Sequence, residues 1–228
     1  MGKRKSFVLL PIEPSAVHNE IIDTYDKSDK KIWQSTNPKI VKVKQEIKDY
    51  YKVKQNFKCA WCRQEILVDN NRSWDAEHVL CTSIYPQFAF KPENLVASCS
   101  DCNGPEGKFN KDVLVGKLDK ENVYPTTKSK FSVLHPLLEP YSEHIDIKVI
   151  HGHRLYFSKG TSKGNKTFDV CNLKRFSYKY GGYVDLDELI FLMFDDFLKN
   201  LPVNTPYNEA SKMFKFAIAT EKIKGVDF

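Results

Sequence analysis

The chain has 228 residues, a formal net charge of +6, and 41% hydrophobic and 13% aromatic residues. That is enough apolar material for a packed core, and it excludes a wholly disordered chain. No apolar run approaches the roughly 20 residues of a membrane-spanning helix. The apolar stretch behind the basic start Lys3-Arg4-Lys5 is too short for a signal peptide. The expectation is a soluble, cytoplasmic protein.

The first 35 or so residues read as irregular, interrupted by Pro11 and Pro14. Asn37-Pro38 then supplies an N-cap and a first-turn proline, and Ile40, Val43, Ile47 and Tyr50/Tyr51 follow at helical spacing. This predicts an amphipathic helix over 38–54. Its other face carries Lys39, Lys42, Lys44, Lys48, Lys52 and Lys54, either a surface for nucleic-acid phosphates or a solvated face.

Beyond a cysteine-bearing segment, Phe131–Leu138 reads as extended. Ile145–Ile150 and Arg154–Phe157 read as a hairpin turning at His151-Gly-His153, and Thr167–Val170 as a further strand. The basic loop 159–166 lacks the G-x-x-x-x-G-K-[ST] spacing of a P-loop, which excludes ATP binding there. Asp185-x-x-Glu188 opens a helix running to Asn200, with Leu186, Leu189, Ile190, Met193 and Phe197 on one face. Thr205-Pro206 caps a last helix to about Lys224.

Four of the six cysteines form two knuckles, Cys59-Ala-Trp-Cys62 and Cys99-Ser-Asp-Cys102, separated by 36 residues. Two C-x-x-C turns suit a tetrahedral Zn²⁺ held by four thiolates, a closed and therefore structural shell. The wide spacing means that the knuckles staple the ends of an intervening module. Cys81 has no such partner and reads as a small buried residue; His135 and His144 read as structural.

Between the knuckles stand Trp74-Asp75-Ala-Glu77-His78, then Asn94-Leu95, then Cys99-x-x-Cys102-Asn103. This succession, over about residues 56–112, resembles the HNH (ββα-metal) endonucleases, whose signature is an acid–His pair, an Asn-Leu on the next strand, and a C-x-x-C-Asn opening a helix. The chemistry of phosphodiester hydrolysis matches the residue types. His78 has the ordinary pKa of a general base near neutrality. Glu77 and Asn103 offer oxygen ligands suited to catalytic Mg²⁺ or Mn²⁺. The resemblance assigns Asn94 the role of bracing the loop and orienting the histidine.

Two features depart from the family pattern. The acid is Glu77 where Asp is commoner, leaving Asp75 as a reserve ligand. Gly104-Pro-Glu-Gly107 intervenes before Lys108, which puts the start of the helix and any phosphate contact of Lys108 in doubt.

The Glu-His form, with the downstream Leu134-His-Pro136, Tyr141-Ser-Glu-His144-Ile145 and Asn172-Leu-Lys-Arg175, is similar to the PtuB-type nuclease subunits of Septu and retron-associated Septu-like anti-phage defence systems. That resemblance implies a nucleic-acid substrate, DNA or structured RNA such as tRNA, and an ABC/SMC-like ATPase partner of the PtuA type. The alternatives are a stand-alone restriction- or homing-type nuclease and a zinc-finger module that binds without cutting. The expected fold class is α+β: an N-terminal segment 1–55 with the basic helix, a zinc-braced ββα module 56–118, and a hairpin-plus-helices extension 119–228.

Overall fold

The computed structural model describes residues 8–66, 73–105, 107–108, 110–150, 153–176, 199–202, 205–206, 208–210 and 212–213. Among the described residues the chain is mixed α and β, with two separate two-stranded antiparallel sheets. It divides into two compact units: Met1–Tyr141 with Val170–Asn172, and Ser142–Asp169 with Leu173–Phe228.

In the first unit the N-terminal region is more ordered than its prolines suggest. Helix α1, Ala16–Thr24, is capped by Ser15, whose side chain accepts from the His18 N–H. A 3₁₀ turn, Ile32–Gln34, precedes α2, Pro38–Lys54. The α2 bounds match the periodic reading, and Asn37 caps the helix by accepting from Lys39 N–H at 2.9 Å. The error over the first 35 residues has a simple origin. Helix α1 buries little apolar surface of its own (His18 and Ile21), so its sequence lacks a broad apolar stripe.

Strands β1 (Trp74–His78) and β2 (Leu95–Cys99) pair antiparallel, Trp74 facing Cys99 and His78 facing Leu95. Side chains alternate across a strand. Trp74, Ala76, Leu95 and Ala97 therefore share one face, where they pack with Ile40, Val43, Ile47 and Tyr51 of α2 and with Ile12, Ile21 and Phe90. A one-turn helix α3, Ser100–Asn103, follows β2 and ends at Gly104. The longer helix implied at this point does not form. Instead the chain turns back so that Lys108 N–H donates to Cys102 O at 2.8 Å. A Cβ at Gly107 would stand 2.2 Å from that same carbonyl oxygen, so the return requires glycine.

Helix α2 is joined to the hairpin by more than apolar contact. The Gln55 carboxamide, 1% exposed, donates to Ala97 O at 2.7 Å and accepts from Ala97 N–H at 2.9 Å. It thus completes β2 as a neighbouring strand would. Tyr51 Oη donates to Pro92 O at 3.0 Å and accepts from Ile12 N–H at 3.2 Å.

In the second unit, β3 (Ile145–Ile150) and β4 (His153–Ser158) form the expected hairpin. Helix α4, Ser162–Val170, replaces both the expected loop and the expected strand at Thr167–Val170. The Thr161 hydroxyl accepts from Gly164 N–H at 2.9 Å at its first turn, a local start signal stronger than the weak β propensity of the four residues 167–170. Phe131–Leu138 is likewise not a strand. Phe131 makes one isolated bridge to Leu114, and turns follow; Pro136 lacks the N–H a ladder needs. Most of the predicted helix 185–200 and of the last helix lies outside the described residues, although 199–200, 208–210 and 212–213 are helical. No described helix is long and apolar enough to cross a membrane.

Replacing Gln55 with Leu keeps the volume but leaves the Ala97 N–H buried and unpaired. The expected cost is about 1–3 kcal/mol, read as a lower urea midpoint of the first unit with the slope unchanged.

Candidate metal centre and neighbouring polar site

The two knuckles converge. The sulfurs of Cys59, Cys62, Cys99 and Cys102 all lie within 4.8 Å of one another, and all four residues are buried. Four sulfurs about 2.3 Å from a tetrahedral ion stand about 3.8 Å apart; Cys62 Sγ and Cys99 Sγ are separated by 3.9 Å. Main-chain N–H groups already point at sulfur, Cys99 N–H to Cys59 Sγ at 3.3 Å and Cys102 N–H to Cys99 Sγ at 3.4 Å. Burial opposes ionisation of Cys59, but hydrogen bonds from Cys102, Cys62 and Cys99 outweigh it and hold that thiol well below its usual range. The donor set, spacing and N–H···S bonds fit a structural zinc ion, which the four cysteines could hold. Because Cys99 faces Trp74 across the hairpin, the cluster closes the open end of the β1–β2 sheet.

Asn94 closes the other end. Fully buried, it accepts from Leu80 N–H at 2.7 Å and donates to Leu80 O at 3.0 Å and Phe88 O at 3.1 Å, while its own carbonyl takes Val79 N–H at 2.8 Å. Every polar atom of that side chain is used inside the 79–94 loop, which is what a loop brace requires.

Strand alternation sends the remaining candidates to two different faces. On the face away from α2, Asp75 and Asn103 are partly exposed, and Asn103 Nδ2 donates to Asp75 Oδ2 at 3.2 Å. Glu77 is 6% exposed and pairs with Lys108, whose Nζ lies 3.1 Å from Oε1, 2.6 Å from His78 O and 5.5 Å from the centre of the Trp61 ring. Desolvation raises the Glu77 pKa above the usual carboxylate value, with the Lys108 charge opposing it. Among the described residues Asn103 pairs with Asp75 rather than Glu77, and Lys108 is an internal counter-ion with a buried side chain.

His78 makes its contacts on the other face. It is 5% exposed, its Nε2 lies 2.9 Å from Ala89 O, and the Trp33 ring meets it edge-on with centroids 4.3 Å apart. A carbonyl oxygen only accepts, so Nε2 carries the proton and Nδ1 keeps its lone pair. Burial, partly offset by the Ala89 hydrogen bond and helped by the Lys108 charge, lowers the pKa of His78 to about 4. The imidazole is neutral across the physiological range.

Other residues singled out in the sequence take structural places. Cys81 is buried beside Ser83 Oγ. His135 bonds Tyr124 Oη through Nε2 at 2.8 Å, and His144 bonds Thr161 Oγ1 at 2.9 Å. The lysine face of α2 is partly consumed by internal bonds. Lys52 is buried and pairs with Asp49 at 2.9 Å, Lys39 pairs with Glu20, and Lys44 donates to Trp33 O and Ser35 O at 3.1 and 3.2 Å. Trp33 and Gln55 carried no periodic or motif signal, since both act through contacts distant in sequence. No protein-family model matches the chain, no curated protein matches it, and no solved structure matches it.

The cysteine geometry predicts about one zinc per chain in protein purified without chelator. Cys62→Ser should release it and unfold the β1–β2 region, whereas Cys81→Ser should leave it bound. Elemental analysis with near-ultraviolet circular dichroism checks both.

His78 also sets a pH dependence. Its folded pKa of about 4 lies below the ordinary 6.5, so between those values the unfolded chain binds a proton that the folded chain does not. Stability therefore rises with pH across that window and is lost as pH falls from about 6.5 to about 4. His78→Gln should flatten that slope relative to the parent in thermal melts at matched zinc occupancy.

Proposed function

We propose that the chain is a metal-dependent nuclease of the HNH type that hydrolyses phosphodiester bonds of nucleic acid. The observation that carries this reading is His78. Its imidazole is buried and neutral, one nitrogen is committed to a main-chain carbonyl, and the other has its lone pair available. A positioned neutral base of this kind is what water activation needs.

Glu77 and Asn103 are the proposed ligands of a hard divalent cation, Mg²⁺ or Mn²⁺, and the oxygen-only donor set suits such an ion. Asp75, hydrogen-bonded to Asn103 and partly exposed, extends that set. The fit is closer at Asp75–Asn103 than at Glu77, whose charge is already met by Lys108. When bound, the cation would polarise the phosphate and stabilise the leaving oxygen. Asn94 holds the loop whose Ala89 carbonyl orients His78, and the four cysteines hold Asn103 at the end of α3, just beyond β2.

The similarity to Septu-type nuclease subunits extends the proposal to anti-phage defence alongside an ABC/SMC-like ATPase. DNA is the favoured substrate and structured RNA the second. The Glu77–Lys108 ion pair favours a competing reading, a zinc-braced binding module that does not cut. In that case Glu77 is purely a structural counter-ion.

Cleavage of plasmid, single-stranded DNA and tRNA, with Mg²⁺ or Mn²⁺ and with EDTA, separates the two, in the presence of any ATPase encoded beside the gene. His78→Ala should lower the rate by about 10²–10⁴-fold with zinc content and nucleic-acid binding retained, and extra metal should not restore it. Asn103→Ala and Glu77→Ala should lose activity in part through metal affinity, so raised Mn²⁺ should recover some of it. A His78→Ala protein that cuts like the parent leaves the binding module as the better reading.

A further inference from the structure

The N-terminal region, with no part in the motif, reaches the histidine. The 3₁₀ turn Ile32–Gln34 sets Trp33 against His78, ring centroids 4.3 Å apart at 84°, and against Phe90 at 5.4 Å and 44°. Nothing in the turn itself would hold an indole there, because a three-residue 3₁₀ segment is weak on its own. The anchor is Lys44 of α2, which donates to Trp33 O at 3.1 Å and Ser35 O at 3.2 Å and brings its ammonium 5.8 Å from the indole centre. Phe90, the residue after the carbonyl that binds His78, is tied to α1, with His18 Nε2 2.8 Å from Phe90 O and the Tyr25 ring packed edge-on against it at 5.0 Å.

An imidazole held by one hydrogen bond can still turn about its terminal torsion, which is broad and roughly two-fold. A flip brings Cε1 to Ala89 O in place of Nε2, which breaks that hydrogen bond, frees the tautomer it fixed and takes the Nδ1 lone pair from its aim. An indole packed perpendicular to the imidazole with centroids 4.3 Å apart makes that rotation collide.

We propose that Trp33, pinned by Lys44, is a positioning residue for His78: it locks the ring in the orientation that keeps Nε2–H on Ala89 O and Nδ1 free to accept a proton. This rests on the nuclease reading for its functional part. The contact and the tautomer do not depend on it.

The test uses the full, zinc-loaded chain and two readouts. Long-range ¹H–¹⁵N correlation of the histidine rings reports the His78 tautomer without any activity. Steady-state cleavage over a range of substrate concentrations gives kcat and KM separately. The parent should show His78 as the single Nε2–H form. Trp33→Ala should give mixed tautomers and lower kcat by about tenfold, a fraction of what a 1 Å misplacement can cost, with KM within about twofold. Trp33→Phe, which keeps an aromatic edge, should restore the single tautomer and most of kcat. Lys44→Met, which leaves the indole in the sequence but removes its anchor, should resemble Trp33→Ala, and it guards against a folding defect specific to removing the ring.

If His78 keeps one tautomer in both Trp33→Ala and Lys44→Met, the inference falls, whatever the activity. If the tautomers mix but no variant nor the parent cuts any substrate, the positioning contact stands and the nuclease reading fails.

Discussion

Everything in the first unit hangs from the convergence of four sulfurs that would repel one another as thiolates. Packed within 4.8 Å and buried, they are a poor arrangement for a chain alone and a good one around a divalent cation. The two knuckles are 36 residues apart in sequence, so closing them defines a long loop, and that loop contains Asp75, Glu77, His78 and Asn94, with Asn103 directly after it. Cys99 is both a cluster residue and the last residue of β2. A shift at the cluster is therefore a shift in strand register, and with it in which face each side chain meets.

Register matters here because adjacent residues do opposite things. Glu77 and His78 are neighbours in sequence, yet alternation puts the carboxylate against Lys108 and the imidazole against Ala89 and Trp33. Lys108 spans the divide, its ammonium reaching both Glu77 Oε1 and the His78 carbonyl. One buried cation thus fixes the carboxylate on one side and the main chain that carries the imidazole on the other. A lysine buried this deeply is tolerable only because its charge is met at both places.

The sequence was most informative where a single residue type has a single geometry. The C-x-x-C pairs converge as their spacing implies, and the α2 bounds follow from Asn37-Pro38 and a clean apolar stripe. It was least informative where partners are remote. Trp33 meets His78 across 45 positions and Gln55 meets Ala97 across 42, and neither pairing leaves a trace in local periodicity. The lysine stripe of α2 is partly consumed by internal bonds for a related reason. Spacing counts charges on a face but not the carbonyls and carboxylates that the fold brings to meet them. In α4, a threonine cap outweighed a short run that reads equally well as strand.

The Ala97 carbonyl has a consequence for what counts as a unit in this chain. It accepts from Gln55 Nε2 and also from the Ala60 N–H inside the first knuckle, at 3.0 Å. The helix and the first cysteine turn thus share one oxygen, and the apolar face of the hairpin is covered by that same helix. A fragment trimmed to the cysteine-to-cysteine segment would keep all four sulfurs yet lose the lid of its core and the partner of a buried amide. The four-cysteine hairpin is accordingly not an autonomous finger that could be grafted elsewhere. It is the cysteine-bearing half of a cooperative body whose other half is the N-terminal helices.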